Sequence, residues 1–420
     1  MIGLLGILAL LGIAVLLSDN RQAINPRTVI GAFTIQAGFA ALVLYVPLGQ
    51  AVLTGAANGV QNVINYANVG TQFLFGNLLN GDQGFIFAIN VLPIVVFLSA
   101  LVAVLYYLGI MQKIVGLFGG LISKALGTSQ VESLSATANI FVGQTEAPLV
   151  VKPYLKNMTD SELFAVMVGG LASVAGAVLV GYASLGVELK YLIAASFMAA
   201  PGGLLMAKII KPEVDTPVDI AENIDYDDEY SPSNVIDAAS AGALTGMKLA
   251  MNIGAILVAF IALIALLNGA IGGIAGAIGG IVSMLGVENL TLQQTLENLT
   301  LQQILGWLVA PLAFLMGVPW DDAVRTGSLI GQKLVLNEFV AYIDFVGIKD
   351  GMSEKAQVIS TFALCGFASF ASIAILLGGL GGLAPSRRHD IARLGMRAVA
   401  AGTLSNLMSA TLAGIFFSLS

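Results

Sequence analysis

Eight apolar runs, at residues 2–17, 29–46, 85–108, 163–182, 191–210, 235–267, 359–377 and 394–419, constrain this chain more than any motif in it. A helix needs about 20 apolar residues to cross the hydrocarbon of a bilayer. In lipid the backbone must satisfy its own hydrogen bonds, so only helices or closed barrels span it. These runs do not alternate apolar with polar residues, which excludes a barrel. Charged residues make up 10% of the chain, against about 25% in soluble domains. The first run lacks a basic leader and an Ala-x-Ala-like cleavage site, so it reads as a retained span rather than a signal peptide. The fold class is an all-α polytopic membrane protein.

Composition also narrows the chemistry. Cys365 is the one cysteine and His389 the one histidine, which leaves no disulfide, no redox pair and little material for a metalloenzyme. The net charge of −7 argues against a nucleic-acid polymer as partner. Much of the acid falls in one stretch, 211–230, which reads as a solvated linker. Arg21 and Arg27, and later Lys113, Lys124, Lys152, Lys156, Arg387, Arg388 and Arg397, assign one set of loops to the cytoplasm by the positive-inside rule. That places both termini on the outer side. Residues 49–75, where Asn58, Gln61, Asn62, Asn65 and Asn68 interrupt the apolar pattern, suit a helix lying at the interface.

One stretch fits neither a span nor a loop. Residues 139–148 carry Asn139, Gln144, Thr145 and Glu146 among Ile140, Phe141 and Val142, with Gly143 and Pro148 breaking any helix. A carboxylate at membrane depth faces a partner, a water-filled cavity or a substrate. Lys124 before it and Lys152 after it place both ends on one side, which predicts a re-entrant hairpin turning near 142–145. Downstream, Asn337-Glu338 precedes a run containing Ser369 and Ser372, as Thr145-Glu146 precedes a run containing Ser173. Three crossings separate the two units, so the second hairpin enters from the opposite side. Inverted repeats with broken helices meeting at the midplane are the architecture of secondary transporters. A channel would also use re-entrant loops, but no carbonyl-filter motif is present. An intramembrane hydrolase would need a nucleophile with its base.

The constellation has a definite chemistry. Glu146 and Glu338 would arrive from opposite faces beside Gln144, Thr145, Asn337, Ser369 and Ser372, with Phe339 and Phe367 as an apolar wall. Such a site suits a neutral solute with hydroxyls and a planar part. Lys333 is the one cation nearby that would favour an anion. Asn139, with carbonyls of a broken helix, suits a hard cation such as Na+; the competing reading is a helix cap or an interhelical bond. For the serines the competing reading is close packing of small residues. For the two glutamates it is a buried pair with an opposing Lys or Arg.

Gly143-Gln-Thr-Glu-Ala-Pro-Leu149, Gly331-Gln-Lys through Asn337-Glu-Phe-Val-Ala-Tyr342 and Ala363-Leu-Cys-Gly-Phe-Ala368 resemble the motifs of the concentrative nucleoside transporter family, bacterial branch, along nearly the whole chain. The resemblance implies eight transmembrane helices, two re-entrant helical hairpins in an inverted repeat, interfacial helices and a homotrimer in the inner membrane. It divides the chain into N-terminal spans, interfacial helix and scaffold span three (1–116), and a first transport repeat with hairpin one and spans four and five (117–210). An acidic cytoplasmic loop (211–234), scaffold span six with an external interfacial segment (235–300) and a second, inverted repeat with hairpin two and spans seven and eight (301–420) follow. It implies that Gln144, Thr145 and Glu146 meet the nucleobase side, and that Glu338, Phe367, Ser369 and Ser372 meet the sugar side. Asn139, the Val142 backbone, Ser173 and the Val174 backbone would hold Na+, with H+ the alternative coupling ion. The family usually has Asn where this chain has Ser369, which opens the sugar end to weaker or altered recognition, or to a nucleobase or another neutral solute.

Overall fold

The computed structural model describes residues 2–78, 85–217, 232–284 and 299–419. In chain order the helices are α1 (Ile2–Leu16), α2 (Pro26–Leu44), α3 (Pro47–Phe75), α4 (Leu92–Tyr107), α5 (Ile110–Leu126) and α6 (Gln130–Ala138). A 3-10 stretch, Ala147–Tyr154, leads to α7 (Asp160–Ala172), α8 (Gly176–Ser184), α9 (Leu189–Ile210) and the long α10 (Val235–Met284). The last third holds α11 (Leu301–Leu315), α12 (Trp320–Val335), α13 (Glu338–Ile348), α14 (Glu354–Leu364), α15 (Ala371–Gly378) and α16 (Arg388–Phe417). Among the described residues there is no strand.

Among the described residues six segments are long and apolar enough to cross a membrane: Pro26–Leu44, Phe87–Tyr107, Asp160–Ser184, Leu189–Ile210, Val235–Ile278 and Pro385–Phe417. Their burial separates them into two sets. The segments formed by α7–α8, α9 and α16 are 94%, 89% and 78% buried, whereas those of α2, α4 and α10 are 33%, 22% and 22% buried. Protein therefore surrounds the first set, and α4 and α10 pair at the outside. That pair is close because Gly242 and Gly246 of α10 face Ala100, Ala103, Val96 and Ser99 of α4 with no room for a Cβ, the small-residue contact typical of apolar helices.

Side-chain caps fix where the inner helices begin. Ser129 and Glu132 form a reciprocal capping box at the start of α6, and Thr159 with Glu162 forms another at α7. Lys208 near the end of α9 joins the two, with Nζ 2.6 Å from Glu132 Oε2 and donating to Ser161 Oγ at 2.9 Å. Around this end gather loops far apart in sequence. Asp19 pairs with Lys211 and Arg397, Asp160 with Arg387 and Arg393, and Arg27 donates to the Lys124 carbonyl. Burial pulls the Asp19 carboxyl up, but Lys211 and Arg397 outweigh it and hold the group below its ordinary value.

Two breaks shape the interior. The first parts α7 from α8 at Ser173, whose backbone is extended (φ −105°, ψ 175°). The second parts α14 from α15 after Leu364. Backbone groups freed there find partners across the molecule: Phe367 N–H donates to the Ser173 carbonyl at 3.1 Å, Gly176 N–H to Phe141 and Phe370 N–H to Leu334. Irregular backbone at membrane depth requires such cover.

A Pro-Gly-Gly such as 201–203 ordinarily kinks or breaks a helix, yet α9 runs unbroken from Leu189 to Ile210. Its glycines serve contact instead, since a Cβ on Gly202 would lie 2.4 Å from Gln36 Nε2 and one on Gly203 would lie 3.5 Å from Gly169 Cα. The Gly-rich piece after span six continues α10 as far as Met284, which makes that helix longer than a bilayer crossing needs. The acidic stretch falls largely outside the described residues, as does most of the polar segment 288–303.

Candidate functional site

The two breaks and the two turn-bearing segments, 139–146 and 336–338, meet around one cavity of about 140 Å³. Gln144, Thr145 and Glu146 line it from the first repeat, and Glu338, Phe367, Ser369 and Ser372 from the second. All seven solute-site residues named from sequence thus share one space, together with Asn337 and Phe339. Leu249, Ile253, Ile256 and Leu257 of α10 close its apolar side.

Its polar groups are held in place locally. Asn337 caps α13 by accepting from the Val340 N–H at 2.9 Å, which sets Glu338 in the first turn of that helix. Tyr182 of α8 donates to Glu338 Oε1 at 3.0 Å and packs against the Phe339 and Tyr342 rings at 4.7 and 4.4 Å between centroids. Neither Glu146 nor Glu338 forms an ion pair among the described residues, which removes the structural-pair reading. Gln144 Oε1 and Glu146 Oε2 are buried without a hydrogen-bond partner. A buried acceptor left so costs about 1–3 kcal/mol, and a donating solute would relieve it.

The sugar-side serines have a direction. Ser372 Oγ donates to the Phe367 carbonyl, and Ser369 Oγ lies 3.0 Å from Ser372 Oγ. With the Ser372 proton engaged, Ser369 is the donor of that contact. Both hydroxyl hydrogens are therefore turned into the protein, and what Ser369 and Glu338 offer the cavity is lone pairs.

The cation candidates do not line the cavity; they lie behind it at the α7–α8 break. Asn139, Ser173 and Val174 are at most 2% exposed and Val142 is 7% exposed. Asn139 Nδ2 donates to the Ser135 carbonyl at 2.9 Å, whereas its Oδ1 is buried without a partner. Ser173 donates back to Gly169 at 2.9 Å, so its oxygen lone pairs remain available. A built set of neutral oxygens with an unmatched buried carboxamide oxygen fits a hard monovalent cation. Among the described residues no cluster of His, Cys, Asp and Glu fits a transition metal. Lys333, the one nearby cation named from sequence, does not face the cavity; its Nζ donates to the Ala363 carbonyl at 2.8 Å and to Asn406 Oδ1 at 2.7 Å.

Sequence reasoning missed Tyr182, Asn406 and the α10 residues. Tyr182 and Asn406 sit in otherwise ordinary apolar runs, and the four α10 residues look like any lipid-facing helix surface.

Comparison with known proteins now bears on this geometry. Residues 191–414 match the C-terminal region of the Na+ dependent nucleoside transporters, residues 5–78 match their N-terminal region, and residues 88–188 match a nucleoside recognition region. This chain is a member of the Na+-dependent nucleoside transporter family. Helicobacter pylori nucleoside permease NupC is 51% identical over 425 residues, covering 99% of this chain and 97% of that protein. Rat sodium/nucleoside cotransporter 1 is 37% identical over 418 residues, covering 95% of this chain and 61% of the rat protein. CNTnw in an inward-facing substrate-bound state superposes with a TM-score of 0.92 at 54% identity, covering 100% of this chain and 99% of that one. The nucleoside transporter described here is accordingly a multi-pass membrane protein, and its relatives are transporters and permeases rather than enzymes.

Proposed function

We propose that the chain imports nucleosides by symport with Na+, using alternating access of a mobile body formed by the two repeats. The observation that carries this reading is the cavity between the repeats, lined by Gln144 and Glu146 from the first and by Glu338 and Ser369 from the second. The base would lie toward Gln144, Thr145 and Glu146, between Phe339 and Phe367. The sugar hydroxyls would donate to Glu338 and Ser369, with Ser372 orienting Ser369. Na+ would be held by Asn139, Ser173 and the carbonyls of Val142 and Val174. The Phe367 N–H bond to the Ser173 carbonyl joins that cation site to the sugar end, so ordering one break orders the other.

Eight spans fit this architecture: the six long segments plus α1 and the broken pair α14–α15. α6 with its 3-10 partner and α12 with α13 then form the two re-entrant hairpins. The 118° bend between α11 and α12 marks the passage from an interfacial helix into the second one. The ion-pair end is read as cytoplasmic, with both termini periplasmic, in the inner membrane of a bacterium. α4 and α10 form the scaffold, and a homotrimer is the expected assembly.

Uptake into proteoliposomes tests the reading. An inward Na+ gradient should drive saturable accumulation of nucleosides that free bases compete with poorly. Accumulation driven by a pH gradient alone would replace Na+ with H+. Accumulation of free bases in preference to nucleosides would replace the substrate, a reading that the unusual Ser369 keeps in view.

A further inference from the structure

The transport reading leaves one buried charge without a task. Lys333 is 2% exposed, and among the described residues no carboxylate pairs with it. Such a lysine inside a membrane protein is expensive and calls for a role. Its side chain leaves α12 and reaches the end of α14, where Nζ donates to the Ala363 carbonyl and to Asn406 Oδ1 of α16. The orientation of Asn406 is fixed from its other end. Nδ2 donates to the Ala172 carbonyl at 2.6 Å and to the Cys365 carbonyl at 2.9 Å, one at each helix break.

The ligands of this ammonium are therefore a carbonyl in the last turn of a broken helix and a carboxamide oxygen. Those are the group types that meet around Asn139 in the first repeat. The two places also correspond in sequence: the offset that carries Thr159, the N-cap of α7, onto Ser353, the N-cap of α14, carries Asn139 onto Lys333. One repeat presents an unmatched oxygen at that register, and the other presents a cation. Carbonyls at a helix C-terminus carry partial negative charge that a cation offsets.

We propose that the Lys333 ammonium is a resident cation of the second repeat, tethered at the break of α14 as the exchangeable cation is held at the break of α7. It rests on the reading of Asn139 as a ligand of the coupling cation. Lys333 is a positioning residue: it neutralises the α14 terminus and fixes Asn406 across both breaks. The second hairpin would thereby be kept ordered with no ion from solution, while the first depends on one.

Chemical rescue tests this on the full chain in lipid nanodiscs, with tritiated uridine and adenosine as probes at low and high Na+. Lys333→Ala should weaken nucleoside binding by roughly tenfold or more, the scale of losing hydrogen bonds to a charged group. Propylammonium chloride should restore binding, and propanol, of the same length and uncharged, should not. Lys333→Gln, which keeps a donor without the charge, should stay weak. Parent-like binding by Lys333→Gln, or equal rescue by propanol, would overturn the proposal. So would aggregation of both variants with propylammonium present, because the lysine would then be replaceable by no cation. Loss of Na+ dependence in the parent itself would instead count against the Asn139 reading.

Discussion

Glu338 is the residue on which solute recognition turns. It is 6% exposed, caps no helix, pairs with no cation, and keeps one oxygen on Tyr182. Glu338→Gln preserves shape and replaces an acceptor with a donor, so nucleoside uptake should fall by about a hundredfold while thermal stability in detergent shifts little. Parallel melting and uptake curves would separate the two effects. Ser369 is the second residue to probe. A carboxamide reaches further and offers two donors, so Ser369→Asn should strengthen nucleoside binding by about tenfold, a hydrogen bond's worth. Unchanged affinity by equilibrium binding would mean that the Ser369–Ser372 contact already serves the sugar end fully.

At the scale of elements, α4 and α10 are held together by absent side chains. A Cβ on Gly246 would lie 2.7 Å from Ser99 Cβ and 2.8 Å from Val96 Cα, the second a backbone atom that cannot turn aside. Gly246→Leu should therefore destabilise the protein by about 1–3 kcal/mol, read as a lower melting temperature and weaker assembly on gel filtration. The elements also show what could be read without coordinates. Apolar length located the six long segments, and the polar residues of 139–146 located one wall of the cavity, because charge at membrane depth is too costly to be incidental. Pro201 does not end its helix, since a proline in a long helix can be carried when neighbouring helices pack tightly against its flanking glycines. Tyr182 and Asn406 were invisible for a different reason. Their importance lies in what they reach across the fold, and a linear pattern does not record reach.

For the whole molecule, α2 and the α1–α2 loop are tied to the inner helices. Gln36 of α2, fully buried, donates to Ser409 of α16 at 2.9 Å, and Asp19 ties the α1–α2 loop to Arg397. If α2 travels with α16, a cysteine at Gln36 should stay protected from maleimide in every transport state. A cysteine at Ile256, on the cavity face of α10, should change its reactivity when Na+ and nucleoside are added. Labelling followed by mass spectrometry distinguishes them, and state-dependent labelling at Gln36 would return α2 to the scaffold.

The inward-turned hydroxyls of Ser369 and Ser372 carry a last consequence. Where these groups present lone pairs, recognition counts hydrogens on the guest rather than oxygens. Deoxygenating a sugar position and O-methylating it remove the same hydrogen, although one shrinks the guest and the other enlarges it. At the position that faces Glu338 and Ser369, the two analogues should lose binding in step, whereas a site that selected by volume would set them apart.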